Sequence, residues 1–167
     1  RVEALRGSNE KALVIFDLDS TLLNNKPRQA RILAEYGTAA GVPELEACVA
    51  DHFVDWSLRK PMLRCGLTEE HALRLEPDAR KFWRDRFFTS EYALLDHAMP
   101  GAADYVKAIL ELGATVVYCT GRHPEMRQGT IGCMAREGFP VPDEQRVHPV
   151  NREDKSKALA WLVGHQQ

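Results

Sequence analysis

The chain has 167 residues, 44% hydrophobic and 28% charged, with 22 Lys and Arg against 24 Asp and Glu. That is the make-up of one ordinary globular domain, or of a core with a small insertion. The net charge of −2 gives no general reason to expect a nucleic-acid or membrane-surface partner, and no apolar run approaches the ~18 residues that span a bilayer.

Arg1–Glu10 is charged and polar and lacks the apolar middle of a signal peptide. The chain does not open on Met, which leads us to expect a processed or trimmed chain. Cys48, Cys65, Cys119 and Cys133 show no C-x-x-C spacing, which argues against a zinc knuckle or a thioredoxin-like pair. Four scattered thiols read as small buried apolar side chains in a reducing, cytoplasmic setting.

The first expected element is a strand over Lys11–Phe16. Its continuous apolar run, Ala12-Leu13-Val14-Ile15-Phe16, reads as a strand buried on both faces. From Asn24 to about Met99 the pattern turns helical and holds no convincing strand. Lys26–Tyr36 is one expected helix. Leu45, Cys48, Val49, Phe53 and Trp56 follow Pro43 at helical spacing. Thr68 before Glu69 and Glu70 marks another start, and Ala79, Phe82, Trp83, Arg86 and Phe87 form a further stripe. His52 lies on an otherwise apolar stripe and reads as packed. Residues 24–98 carry 11 Lys and Arg against 12 Asp and Glu, so the block is not a general polyanion surface. Its local basic run, Arg80, Lys81, Arg84 and Arg86, reads as the outer face of a helix whose aromatic face packs inward.

Pro100-Gly101 closes that block. A helix over Ala102–Leu110 should stop at Gly113, and a second buried strand should cover Ala114–Cys119. A helix over about Glu125–Glu137, a short strand over Arg146–Val150 and a helix over about Glu153–Val163 complete the order. Alternating β and α with apolar strands predicts a parallel sheet covered by helices, whose ligand sits beyond the carboxyl ends of the strands. Both expected strands end in polar clusters: Asp17-Leu18-Asp19-Ser20-Thr21 and Thr120-Gly121-Arg122-His123.

Asp17 and Asp19, two apart at the mouth of a strand, point the same way if the segment stays extended. Such a pair can hold a hard cation such as Mg²⁺, and one carboxylate can attack phosphorus. The plainer alternative is a polar loop with Asp19 or Ser20 as a helix cap. Arg122 either contacts substrate or pins its loop to a neighbouring carboxylate, and His123 is placed to cap the helix that follows.

Phe16-Asp17-Leu18-Asp19-Ser20-Thr21-Leu22 resembles the first motif of the haloacid dehalogenase-like hydrolases, hydrophobic residues followed by Asp-x-Asp-x-Thr-Leu. Tyr118-Cys119-Thr120-Gly121-Arg122 resembles the second, and Lys155 or Lys157 is available for the third. The resemblance implies a Rossmann-like α/β core over 1–23 and 99–167, with an all-helical cap over 24–98 that closes over the site. It implies a phosphatase in which Asp17 attacks the phosphoryl group and Asp19 acts as acid and base. Thr120 would hydrogen-bond a phosphoryl oxygen and a Lys would neutralise charge. Asp17 and the Asp19 backbone would hold Mg²⁺, and Ser20, Thr21, Gly121 and Arg122 would line the substrate. Counting back one helical turn from Leu159 favours Lys155.

A small phosphorylated molecule is the expected substrate. The Thr-Gly-Arg ending is also similar to the phosphatase domains of polynucleotide kinase-phosphatases, so a nucleic-acid end phosphatase is a second reading. A catalytically silent domain that binds a partner through its cap is a third. The family carries a fourth, acidic motif on a strand after the Lys-bearing helix, and here no acidic residue lies beyond Asp154. The expectation is a fragment of a longer phosphatase, with an unpaired sheet edge and weak Mg²⁺ binding. The alternatives are a shortened relative that recruits Glu153 or Asp154 to the metal, and one that has lost catalysis.

Overall fold

The computed structural model describes residues 12–140 and 142–164, the side chains of 151–153 excepted. Its strands are β1 (Leu13–Phe16), β2 (Leu23–Asn24), β3 (His97–Ala98), β4 (Thr115–Thr120) and β5 (Val147–Pro149). Its helices are α1 (Lys26–Ala40), α2 (Pro43–Glu46), α3 (Arg59–Arg64), α4 (Glu69–Phe87), α5 (Ser90–Ala93), α6 (Ala102–Glu111), α7 (Arg127–Arg136) and α8 (Asn151–Gly164). The chain separates into two compact units, residues 25–96 and residues 1–24 with 97–167. No helix among the described residues is long and apolar enough to cross a membrane.

The second unit is a parallel, Rossmann-like α/β fold. Its sheet runs β1-β4-β5, with Phe16 opposite Tyr118 and Thr120 opposite Pro149. Side chains alternate across β4 as the pleat requires. Val116 and Tyr118 pack with Val106 and Met134 of α6 and α7. Val117 and Cys119 pack with Leu162 of α8. Helices therefore cover both faces of the central strand.

β1 departs from expectation. Its four residues are half-buried rather than buried, because β4 takes the centre of the sheet and β1 lies at its edge among the described residues. Lys11, the expected first residue of this strand, lies outside the described residues.

The helical unit leaves from β2 and returns at β3, two short strands that pair antiparallel as Leu23–Ala98 and Asn24–His97. This ladder at the ends of the block was not visible in its helical patterning. Inside the unit, the two expected stripes at Thr68 and Ala79 are a single helix, α4. Thr68 caps it by accepting the His71 N–H at 3.2 Å. Pro77 sits within it and removes one ladder donor, yet Ala72 and Ala79 on either side stay buried against the unit's core.

The helix expected from Pro43 to Trp56 does not form. It stops after Glu46, and a 3-10 turn follows at Ala50–His52. Further on, Asp55 accepts the Ser57 N–H at 2.9 Å and Ser57 Oγ accepts the Lys60 N–H at 3.4 Å. Such local bonds offer the backbone a substitute for the helical ladder. Leu45, Cys48 and Phe53 remain in the core while Val49 and Trp56 stand exposed. Gly37 permits the tight turn from α1 into α2, since a Cβ there would lie 2.8 Å from Leu45 Cβ.

The basic run of α4 is largely paired. Arg80 meets Glu76 at 2.7 Å, Lys81 meets Asp85 at 3.0 Å and Arg86 lies over the Phe82 ring. Glu35 of α1 takes Arg31 and the Tyr92 hydroxyl. Arg28 and Asp96 are the most buried polar groups described in the unit. Arg28 lies 3.0 Å from Asp96, with both side chains fully buried, donates to the Phe87 carbonyl at 2.9 Å, and covers the Phe87 ring.

Removing one partner of such a pair leaves an uncompensated buried charge. Asp96→Ala should therefore cost about 3–5 kcal/mol in a denaturant titration, whereas Asp85→Ala, at an exposed pair, should cost about 1 kcal/mol or less. Equal losses for the two variants would show that the buried pair does not anchor the unit.

Candidate active site

The parallel register sets the site. With Phe16 opposite Tyr118, Asp17 and Thr120 emerge at the same, carboxyl-terminal edge of the sheet. Beyond β1 the chain turns at once. The Leu18 carbonyl accepts the N–H groups of Thr21, Leu22 and Leu23, and Ser20 donates to Leu23 at 2.9 Å. Ser20 adopts a left-handed φ of 60°, uncommon for a residue with a Cβ. The buried Leu18 and Leu22 anchor this turn, so Asp17 and Asp19 sit on a fixed loop while Ser20 and Thr21 are exposed. Neither Asp19 nor Ser20 caps α1, whose N-cap is Asn25.

Asp17 is 42% exposed, and its Oδ1 lies 2.8 Å from Lys155 Nζ and accepts the Leu18 N–H at 2.8 Å. Lys155 stands in the second turn of α8, on the side that packs Ala158, Leu159 and Leu162 against the sheet. Lys157 points elsewhere, is 86% exposed and pairs with Asp154 at 3.6 Å. That contact is an exposed pair, with the Asp154 side chain 57% exposed. The Glu153 side chain lies outside the described residues.

Arg122 is 2% exposed. Its Nε and Nη2 donate to the two Asp19 carboxylate oxygens at 3.1 and 2.8 Å, and its Nη1 donates to Thr130 Oγ1 at 3.0 Å. The guanidinium thus pins the first loop to the second. Thr130, fully buried on α7, is a polar partner that the sequence reading missed, its only signal being a lone hydroxyl on a buried helix face. Thr120 is fully buried at the end of β4 and accepts the Arg122 N–H at 3.4 Å. Gly121 lies between them, half-exposed. His123 takes the N-cap position of the following 3-10 turn but makes no side-chain cap bond to it.

Two carboxylates, one guanidinium and one ammonium therefore meet at the sheet edge, with no net charge among the four. Beneath them the Cys119 thiol is pushed up from its ordinary pKa by burial, against a smaller pull from Lys155. The oxygens of Asp17 and the Asp19 backbone are hard donors that suit a hard divalent cation. Among the described residues no three acidic side chains converge here, so the protein offers few ligands and water would complete the shell.

The family model for haloacid dehalogenase-like hydrolases matches residues 11–145, and the chain belongs to that family of hydrolases. No curated protein matches it in sequence. Among solved structures it is similar to the Class C acid phosphatase from Bacillus anthracis with tungstate bound, at a TM-score of 0.56 and 19% identity. The match covers 98% of this chain and 52% of that one. It is also similar to a protein of Clostridium difficile described as a phosphatase, at a TM-score of 0.57 and 13% identity, covering 94% of this chain and 71% of that one. The chain thus spans about half the length of the first of these. Both likenesses confirm the α/β fold.

The Arg122–Asp19 contact can be checked through stability alone. Arg122→Met should cost about 1.5–3 kcal/mol, the range for a hydrogen bond to a charged group. Arg122→Lys should recover only part of it, because an ammonium cannot span both carboxylate oxygens. Full recovery with Lys, read from denaturant midpoints, would show that charge alone matters.

Proposed function

We propose that the chain is the catalytic core of a phosphatase that hydrolyses a phosphate monoester through an aspartyl-phosphate on Asp17. The observation that carries this reading is the Asp17 carboxylate, held at Oδ1 by Lys155 and the Leu18 N–H at the carboxyl end of a parallel strand. Those contacts orient the group and leave Oδ2 for in-line attack on phosphorus. As the Oδ2–P bond forms, the P–O bond to the leaving group breaks, and Asp19 gives that oxygen a proton. Water then attacks phosphorus, Asp19 takes the water's proton, and inorganic phosphate leaves with the Asp17 carboxylate restored.

Arg122 sets the direction in which Asp19 faces. One carboxylate oxygen must release its guanidinium donor to carry the proton, and the Asp19 side chain is 24% exposed on the loop, which leaves room for that change. Lys155 spreads the charge of the phosphoryl oxygens, as phosphoryl transfer requires. Thr120 and the Gly121 backbone stand at the edge where those oxygens would lie. The tungstate of the Bacillus anthracis structure is a tetrahedral oxyanion of phosphate's shape, which favours a phosphoryl group as the one attacked.

Mg²⁺ is the cation we assign to the Asp17 carboxylate and the Asp19 carbonyl, because it keeps several waters and needs few protein ligands. When bound it supplies positive charge to the phosphoryl oxygens. A small phosphorylated molecule is the proposed substrate, since the basic side chains of α4 are mostly engaged by their own acidic neighbours. The four scattered cysteines, with no paired spacing, go with a reducing, cytoplasmic setting.

The test is release of phosphate from an aryl phosphate with and without Mg²⁺. Asp17→Asn should abolish turnover while keeping the fold. Asp19→Asn should lower it by ~10²–10⁴, the usual worth of general acid–base help. Lys155→Ala should lower turnover strongly, and Lys157→Ala should leave it near the parent value. Near-normal turnover by Asp17→Asn would end the covalent mechanism.

A further inference from the structure

Away from the Asp17 loop, the helical unit brings together three side chains that the phosphatase reading does not use. Cys48 is buried in the unit's core just after α2, His52 ends the 3-10 turn at Ala50–His52, and Cys65 caps α3. Their ligand atoms all lie within 4.8 Å of one another, and Cys65 Sγ is 3.3 Å from His52 Nδ1. Two thiolates and an imidazole around tetrahedral zinc, at bond lengths of about 2.3 and 2.0–2.1 Å, stand roughly 3.5–3.8 Å apart. The Cys65–His52 separation is close to that range, and the remaining separations lie within 4.8 Å. We propose that Cys48, His52 and Cys65 form a zinc site, with water in the fourth position.

The chemistry and the surroundings both favour it. Soft thiolates with an imidazole select zinc over the hard cations that suit the Asp17 loop. Binding replaces the two thiol protons, which leave to solvent as the two Zn–S bonds form. His52 Nδ1 accepts the Val49 N–H at a long 3.4 Å. That weak contact is the one a metal would replace at Nδ1. Arg64, next to Cys65, donates to the Asp51 and His52 carbonyls at 3.1 and 3.4 Å. It holds the turn that carries His52 against the helix end that carries Cys65.

The wide spacing, three residues between Cys48 and His52 and twelve between His52 and Cys65, hides the cluster from a search for paired C-x-x-C ligands. Its role would be to cross-link a stretch, residues 47–58, that holds only one 3-10 turn.

The test is titration of zinc into the reduced 167-residue chain against a chromophoric chelator, with cobalt as the spectroscopic probe. We expect one ion per chain, bound tighter than about 1 μM, and a thiolate-to-cobalt charge-transfer band with the visible bands of tetrahedral cobalt. Cys65→Ser and His52→Ala, both at half-buried positions, should each weaken binding more than about 100-fold while leaving the far-ultraviolet circular dichroism unchanged. Binding that survives either substitution would overturn the site. So would a reduced chain that takes up no metal, including one that in air forms only a Cys48–Cys65 disulfide.

Discussion

The parallel pairing of β1 with β4 is the constraint on which the site depends. A slip of one residue would turn every side chain of a strand to its opposite face. Here such a slip would move Tyr118 from the cluster it shares with Val106 to the side that Leu162 covers. Burial on both faces of β4 therefore fixes the register strongly, and the register carries Asp17 and Thr120 to one edge. β5 extends the same logic. It pairs Thr120 with Pro149, the Val150 N–H reaches the Thr120 carbonyl, and α8 starts one residue later. Lys155 reaches Asp17 because hydrophobic packing sets where α8 begins.

Electrostatics then decides what the edge can do. Asp17 and Asp19 placed on one short loop repel each other. Each is answered by one cation from a different element: Lys155 from α8 and Arg122 from the loop after β4. The two cations are not equivalent. The Arg122 guanidinium is buried and grips both oxygens of Asp19, which is a positioning arrangement. The Lys155 ammonium is half-exposed and touches one oxygen of Asp17, so it can share its charge with an arriving anion. The loop is thus rigid at Asp19 and receptive at Asp17.

Much of this was legible in the sequence. The apolar runs at Leu13–Phe16 and Ala114–Cys119 marked two strands, of which only the second is buried, and the polar clusters that end them marked the site. Lys155 followed from its position one turn before Leu159. What was not legible depended on partners far away in sequence. The two readings of Arg122 could be separated only by knowing that Asp19 lies beside it across 103 residues. Thr130 gives no signal except through that same side chain. Past Glu46 the backbone takes short side-chain bonds at His52, Asp55 and Ser57 in place of a helical ladder, a competition that periodicity does not weigh. The two-residue ladder of β2 and β3 is too short for any pattern to show. The cysteines escaped because spacing was read along the chain, while a ligand set is assembled in space.

The helical unit shows why such clusters arise. A unit of about 70 residues buries too little apolar surface to be secure without additional staples. Here α1 and α4 supply Ala30, Leu33, Tyr36, Ala72 and Ala79 to the core, and residues 47–58, which lack a long helix, supply Cys48, Phe53 and Leu58. The unit adds polar ties: Arg28 with Asp96, Glu35 with Arg31 and Tyr92, and Arg59 with Glu76. These ties hold α1, α3, α4 and α5, but none spans the turn at Ala50–His52. That turn is held instead by Arg64 and by the Cys48, His52 and Cys65 cluster. A polar tie of this kind is strongest when its members are fully satisfied. Two neighbouring thiols and one imidazole satisfy one another only weakly as they stand, whereas a single divalent ion would satisfy all three. The reasoning that would put a hard cation at the oxygens of the sheet edge would put a softer one in the helical unit, and the ligand atoms would keep the two apart.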